Sequence, residues 1–366
     1  LRQEDGAAFA VTDGLTRVLS PSFSRDGRSL YYVSNRAGSM DLWQQALGAD
    51  GRPEDDPIPL TVGIGMRSAV LSPDGTKLAY SKGRLVANLW RVPLLENRPA
   101  VWADAEQLTF DEALVEFFDV SNDGQRLVFN SDRTGNMDLW VMPAEGGALS
   151  ALTTGPELDW HPQWSPSGDE VAFYSLRSGR REIHVLPLDG GPGVQLTNGE
   201  AEGSESWFPA WSPDGSEIAF GTLRDDAWSL RTIPREGGVP RLVHTEKDQL
   251  HPTWTPDGPG VLFPSADDCL WQVPADGGEP VRVLCGVAGW PAVSLDGKRI
   301  FFTRGTEAGR DIWAFAPEDG TEQRLTQLEG RPGTLRTQIA TDGRFLYFGW
   351  QEDVGDLWVM DVVREP

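Results

Sequence analysis

Short apolar runs alternate with polar turns along this chain, and the pattern is clearest from Asp119 to Thr153. A short strand enters the turn Asn122-Asp123-Gly124. Gln125 to Ser131 reads as a second strand with its apolar residues at the centre. Asp132 to Asn136 is a polar, glycine-bearing turn, and Asp138 to Met142 a third strand. Glu145-Gly146-Gly147 turns the chain again, and Ala148 to Thr153 makes a fourth. Glycine supplies positive φ, and Asp or Asn hydrogen-bonds its own backbone, so each turn has a mechanism. One four-stranded unit of this kind cannot bury two apolar faces by itself and needs copies.

The copies are present. The first-turn glycine recurs at Gly27, Gly75, Gly124, Gly168, Gly215, Gly258, Gly297 and Gly343, with gaps of 39 to 49 residues. The third strand recurs in step, as Asp41-Leu42-Trp43, Asn88-Leu89-Trp90, Asp138-Leu139-Trp140, Glu182-Ile183-His184, Ser229-Leu230-Arg231, Cys269-Leu270-Trp271, Asp311-Ile312-Trp313 and Asp356-Leu357-Trp358. Both landmarks give eight repeats, and a period in the forties with four strands per repeat predicts an all-β, eight-bladed β-propeller. Residues 1–366 are then one domain, with blades starting near residues 20, 68, 117, 161, 208, 251, 290 and 336. Ala7 to Thr12 has the spacing of a fourth strand with no blade ahead of it, and the chain ends on a third strand with no fourth. The expectation is that residues 7–12 complete the last blade and close the ring, which removes exposed sheet edges. On the innermost strands, Phe23, Leu71, Val120, Trp164, Trp211, Trp254, Val293 and Ile339 fall at one position and are expected to pack blade on blade.

Pro209-Ala210-Trp211-Ser212-Pro213-Asp214-Gly215, followed by Glu217-Ile218-Ala219-Phe220, resembles the TolB-type propeller repeat. So does Ser131 to Asn136 running into Asp138-Leu139-Trp140. The order of repeats looks most like propellers attached to bacterial serine/threonine kinases and winged-helix regulators. TolB itself is similar to a six-bladed propeller with an extra amino-terminal domain, whereas eight repeats and no extra domain are counted here. The resemblance implies a bacterial protein, periplasmic or secreted, or the sensor end of a larger regulator. It specifies fold more than function, because this repeat serves many purposes.

The bulk numbers narrow the choice of partner. Fifteen Trp are ample for cores between blades. A formal charge of −23, spread along the chain, repels nucleic acid and anionic membrane and favours a basic partner or divalent cations. No stretch of about 18 apolar residues occurs, so no membrane insertion is expected. The chain starts at Leu1 without a positively charged leader and apolar core, which reads as a mature product or an excised domain. The oxygen-rich loops Glu54-Asp55-Asp56, Asp225-Asp226, Asp267-Asp268 and Glu352-Asp353 make calcium the one metal worth naming, though without a defined ligand spacing. No cofactor is otherwise expected. The two cysteines, Cys269 and Cys285, fall within one residue of cross-strand register. They form either a disulfide, which implies an oxidising compartment, or two small buried thiols.

Catalytic signatures are absent: no Gly-x-Ser-x-Gly, no His-Glu-x-x-His and no Cys-x-x-Cys. The expectation is therefore a non-enzyme, with a propeller lyase or peptidase-associated domain, or a self-assembling structural protein, as alternatives. The informative pattern lies at one mouth of the ring. Loops entering the inner strands carry Trp160-His161-Pro162, Trp207-Phe208-Pro209, Leu250-His251-Pro252 and Gly289-Trp290-Pro291, and the loops between second and third strands supply Arg133, Arg177 and Arg224. Two readings stand. Trp160, His161, Trp207, Phe208, His251, Trp290 and these arginines bind a peptide, a protein partner or a small ligand. Alternatively, each residue before proline is held extended and its aromatic ring plugs the gap between blades. Each arginine then pairs with the acid of the next strand, as Arg133 with Asp138.

Overall fold

The computed structural model describes residues 10–12, 18–200, 203–246, 250–306 and 309–362. These form antiparallel strands with almost no helix. Where one domain was expected, the chain falls into two compact units, residues 1–85 with 353–366, and residues 86–352.

The second unit contains five sheets made from consecutive strands. Their innermost strands are Val115–Val120, Asp159–Trp164, Glu205–Trp211, Thr253–Trp254 and Ala288–Val293, each followed outward by three more. A sixth sheet is composite. It takes Thr334–Thr341 and residues 345–352 from the end of the sequence, then residues 86–93 and Glu106–Gln107 from the beginning. Its core joins both parts: Trp90 and Val92 are buried with Leu346, Phe348 and Trp350.

Each sheet is bonded to the next near its inner strand. The Trp164 amide donates to Asp119 at 2.9 Å. Trp211 Nε1 donates to the Gln163 carbonyl at 3.2 Å, and Trp254 Nε1 to the Ala210 carbonyl at 3.0 Å. Thr253 Oγ1 donates to the Pro291 carbonyl at 3.2 Å, and Trp290 and Gln338 form a parallel bridge. Gln338 then returns to the first sheet, donating from Nε2 to the Phe118 carbonyl at 2.6 Å. The inter-sheet bonds thus come mostly from the residues just before the anchor positions, where crowding admits only small or polar side chains. The anchors Val120, Trp164, Trp211, Trp254 and Ile339 are all buried, and each contributes roughly 1.5–3 kcal/mol.

Within the sheets, a second bond ties the third strand to the fourth. In the fifth sheet Thr326 Oγ1 donates to Asp311 at 3.0 Å and accepts from the Ile312 amide at 2.9 Å. The second sheet repeats this with Thr197, Glu182 and the Ile183 amide, and the sixth with Thr109, Asn88 and the Leu89 amide. In the fourth sheet Cys269 faces Cys285 and the link is a disulfide.

The first unit has one complete sheet, Val18–Phe23, Ser29–Ser34, Asp41–Leu47 and Pro53–Pro59. It carries the same clasp between Thr61 and Asp41 at 3.0 Å. Met66–Leu71 pairs with residues 77–85, and Lys77 meets Asp361 at 2.7 Å.

Two expectations change, and a third falls partly outside the described residues. Eight separate blades are not formed, because the second and eighth repeats each contribute half of their strands to the sixth sheet. In the proposed closing strand, residues 7–9 lie outside the described residues and residues 10–12 are in no strand. Phe23 is 70% exposed instead of packed, whereas Leu71, the other anchor of the first unit, packs against its core.

Replacing Thr326 with Val keeps the shape but removes both clasp bonds, leaving the buried Ile312 amide without this acceptor and Asp311 Oδ1 with the Leu328 amide alone. The expected loss is about 1–3 kcal/mol, read as a lower denaturant midpoint with unchanged slope.

Candidate functional site

The inner strands of the second unit do not run straight. Their register with the next strand breaks between Trp160 and Gln163, between Trp207 and Ala210, between Ala288 and Ala292, and between Leu335 and Ile339. A bulge of this kind re-aims one side chain. At two of them a non-glycine residue takes the left-handed conformation, His161 with φ 53° and Phe208 with φ 54°. The expectation that residues before proline are extended is therefore wrong at these two positions, because the bulge, not the proline, decides their conformation. Such a φ costs on the order of 1–3 kcal/mol. Gly289, with φ 82°, takes that role before Trp290, and a Cβ there would lie 2.2 Å from the Thr337 side chain.

The re-aimed side chains converge. His251 lies 3.5 Å from Phe208 and 4.2 Å from Trp290, ring centre to ring centre. His161 lies 5.3 Å from Phe208 and 6.2 Å from both His251 and Trp290. Phe117 completes the group, 4.8 Å from His161 and 5.2 Å from Trp290. His161, Phe208 and His251 are buried, while Phe117 and Trp290 are half-buried. Trp160 and Trp207 stand beside this cluster, joined through Tyr174 at 5.5 and 5.3 Å. The Arg181 guanidinium stacks 4.0 Å from the Trp207 ring centre and pairs with Glu205.

Phe117 was not foreseen, nor was Arg336. Both sit three positions before their anchors, Val120 and Ile339, as His161, Phe208, His251 and Trp290 sit before theirs. The signal was available in the alignment of repeats. A search for aromatics before proline misses Phe117 and Arg336, since neither precedes proline. Arg336 donates to Gln351 at 2.6 Å and faces Glu116 at 3.9 Å. Burial pushes the Glu116 carboxyl up, against the pull of Arg336 and a hydrogen bond from Trp160.

The three predicted arginines do not join the cluster. Arg133 pairs with Asp111 at 3.0 Å, not with Asp138, and lies over Phe129 and Trp140. Arg177 pairs with Asp159 at 2.6 Å over Phe173. Arg224 is largely exposed, 3.6 Å from Asp225, and lines a pocket on the third sheet. Among the described residues no group of three or more His, Cys, Asp or Glu side chains is placed to hold a metal ion, and no helix is long and apolar enough to cross a membrane.

The electrostatics of the cluster are those of neutral imidazoles. Burial lowers His161 to about 3 and carries His251 well below its ordinary value, with His161 adding to the effect. Neither Nδ1 has a hydrogen-bond partner, and neither does Trp207 Nε1. A buried polar atom left this way costs about 1–3 kcal/mol.

No family model matches the chain. An uncharacterized protein of Agrobacterium fabrum is 34% identical over 189 residues, 41% of this chain and 63% of that protein. The uncharacterized peptidase YuxL of Bacillus subtilis is 30% identical over 118 residues, 30% of this chain and 17% of the peptidase. The chain therefore spans less than two thirds of either relative. Among solved structures, a putative TolB from Agrobacterium tumefaciens superposes with a TM-score of 0.60 at 20% identity, covering 74% of this chain and all of that one. TolB from Acinetobacter baumannii gives 0.51 at 12% identity, covering 93% and 80%.

The fold is that of a TolB-like β-propeller. These likenesses concern the fold and bear on no kinase or winged-helix regulator. The expectation of a non-enzyme is corrected, since the relatives include a peptidase. An oligogalacturonate lyase in complex with manganese and a puromycin-hydrolyzing peptidase of Mycobacterium tuberculosis are more distant neighbours, at TM-scores of 0.48 and 0.45.

A pH dependence follows from the imidazoles. His161 titrates near 3 when folded and near 6.5 when unfolded, so between these values the unfolded chain binds the extra proton. Stability then falls as pH drops below 6.5, on the order of 2 kcal/mol from this residue by pH 5. Replacing His161 and His251 by Phe should flatten the difference in melting temperature between pH 6.5 and 5 relative to the native chain.

Proposed function

We propose that the aromatic cluster of the second unit is a recognition site, and that it binds a peptide segment of a protein partner or a small ligand. The observation that supports this is the cost concentrated there. Two left-handed non-glycine residues, two buried imidazoles with an unpartnered Nδ1 and an unpartnered indole N–H fall in one group of rings. Features that local rules disfavour, gathered at one place, are the usual mark of function. A ligand would rest on the half-buried rings of Phe117, Trp160, Trp207 and Trp290. Donors on it would find the imidazole lone pairs, and the Trp207 indole offers it an N–H.

A second reading comes from the same imidazoles. Neutral bases 6.2 Å apart are what proton transfer at a bound substrate needs, and a peptidase is among the relatives. We also infer an extracytoplasmic location, which the Cys269–Cys285 disulfide supports.

A random-peptide display library panned on the full chain tests the site. Peptides enriched on the native protein should bind a Trp160→Ala/His251→Ala/Trp290→Ala variant at least about tenfold more weakly, the loss expected from removing hot-spot contacts. Unchanged affinity in a variant that keeps its far-ultraviolet circular dichroism would refute the reading. Cleavage of an enriched peptide, lost with His161→Ala, would select the enzymatic alternative.

A further inference from the structure

The third sheet of the second unit departs from its siblings at one place. Elsewhere the third strand opens on Asp41, Asn88, Asp138, Glu182, Cys269 or Asp311, and in five of these sheets that side chain is hydrogen-bonded or disulfide-linked to the fourth-strand partner while in the sixth, at Asp138, the partner Thr153 takes the neighbouring Leu139 amide. Here the position holds Ser229, which is too short to reach across. Two residues on, where the siblings carry Trp or His, stands Arg231.

Ser229 and Arg231 line a pocket of about 670 Å³. Its floor is a row of hydroxyls in direct cross-strand register, Thr222, Ser229 and Thr245. Thr222 is 5% exposed, and its Oγ1 has no hydrogen-bond partner. The Arg231 Nε lies 3.5 Å from Ser229 Oγ, so its guanidinium stands over the position that a carboxylate fills in the other sheets. Among the described residues no acid lies within ion-pair distance of Arg231. Two acids also line the pocket, each near another basic side chain: Asp225 lies 3.6 Å from Arg224, and Glu246 lies 4.0 Å from His244. Trp228 and Leu242 supply the apolar wall.

We propose that this pocket binds a small carboxylate, which takes the place of the carboxylate that the chain supplies to itself in the sibling sheets. Arg231 and the hydroxyls of Thr222, Ser229 and Thr245 hold the carboxylate group, and the ligand's apolar body lies on Trp228 and Leu242. Arginine beside hydroxyl donors suits this charge and geometry. The site goes beyond the aromatic cluster and does not rest on it.

Benzoate and its neutral isostere benzamide are the probes, titrated by calorimetry into the full chain. Benzoate should bind, and benzamide at least about tenfold more weakly, as loss of a charge-assisted contact requires. Arg231→Leu should weaken benzoate by a similar factor. Ser229→Asp installs the missing acid, so it should abolish benzoate binding and raise the unfolding midpoint. His251→Ala/Trp290→Ala should leave benzoate affinity unchanged, which separates this site from the aromatic cluster. Absence of benzoate binding, equal affinity for benzamide, or indifference to both Arg231→Leu and Ser229→Asp would overturn the proposal.

Discussion

The repeated contact on which this fold most depends is the clasp between third and fourth strands. A fourth strand at the outside of each sheet is short, in the first two sheets of the second unit only Ser150–Ala151 and Val194–Gln195. Two residues of ladder hold such a strand weakly. The threonine hydroxyl that follows adds a donor to the buried acid and an acceptor for the next backbone amide, so one side chain satisfies two groups that burial would otherwise leave costly. The acid is satisfied in return by backbone amides beyond the threonine, Gly199 for Glu182 and Leu328 for Asp311. The clasp thus fixes both the outer strand and the loop that leads to the next sheet.

The inner ends are held by a different device. There, six inter-sheet links use five kinds of contact: amide to carboxylate, indole to carbonyl (twice), hydroxyl to carbonyl, strand bridge and side-chain amide to carbonyl. The common element is position, not residue type. Asp119 shows the cost of that freedom. Burial raises its carboxyl to about 7, although the amides of Trp164 and Val120 both hold it down. A junction made by a half-buried acid is sensitive to pH in a way that the indole junctions at Trp211 and Trp254 are not.

Much of this was legible in the sequence. The turn Ser212-Pro213-Asp214-Gly215 announces itself because Ser212 donates to Asp214 at 2.7 Å and Gly215 needs φ 75°, and both demands are written in residue type. The strands between such turns follow. What the sequence does not encode is which strands share a sheet. The second repeat, continuous in the sequence, becomes one long strand, Lys77–Pro93, whose two ends pair with different neighbours, and a repeat count carries no information about that. Phe117 and Arg336 were hidden for another reason: their place is set by register, while their neighbours Phe118 and Thr337 lack the proline that marks the other positions. The partner of Arg133 was misread because sequence proximity favours Asp138, whereas the fold brings up Asp111 from the preceding connection.

The departures from the repeat then acquire different meanings. Cys269 and Cys285 replace the acid and threonine with a covalent link, which preserves the tie between strands. Asn88 replaces the acid with an amide and keeps its bond to Thr109. Ser229 keeps neither charge nor reach, yet the hydroxyl opposite it is retained and an arginine is added beside it. A substitution that only relaxed the fold would leave an apolar or water-filled gap, with no reason to place a guanidinium over it. Loss of the internal carboxylate together with gain of its natural counter-charge is the pattern of a site emptied of its own ligand group and prepared for another.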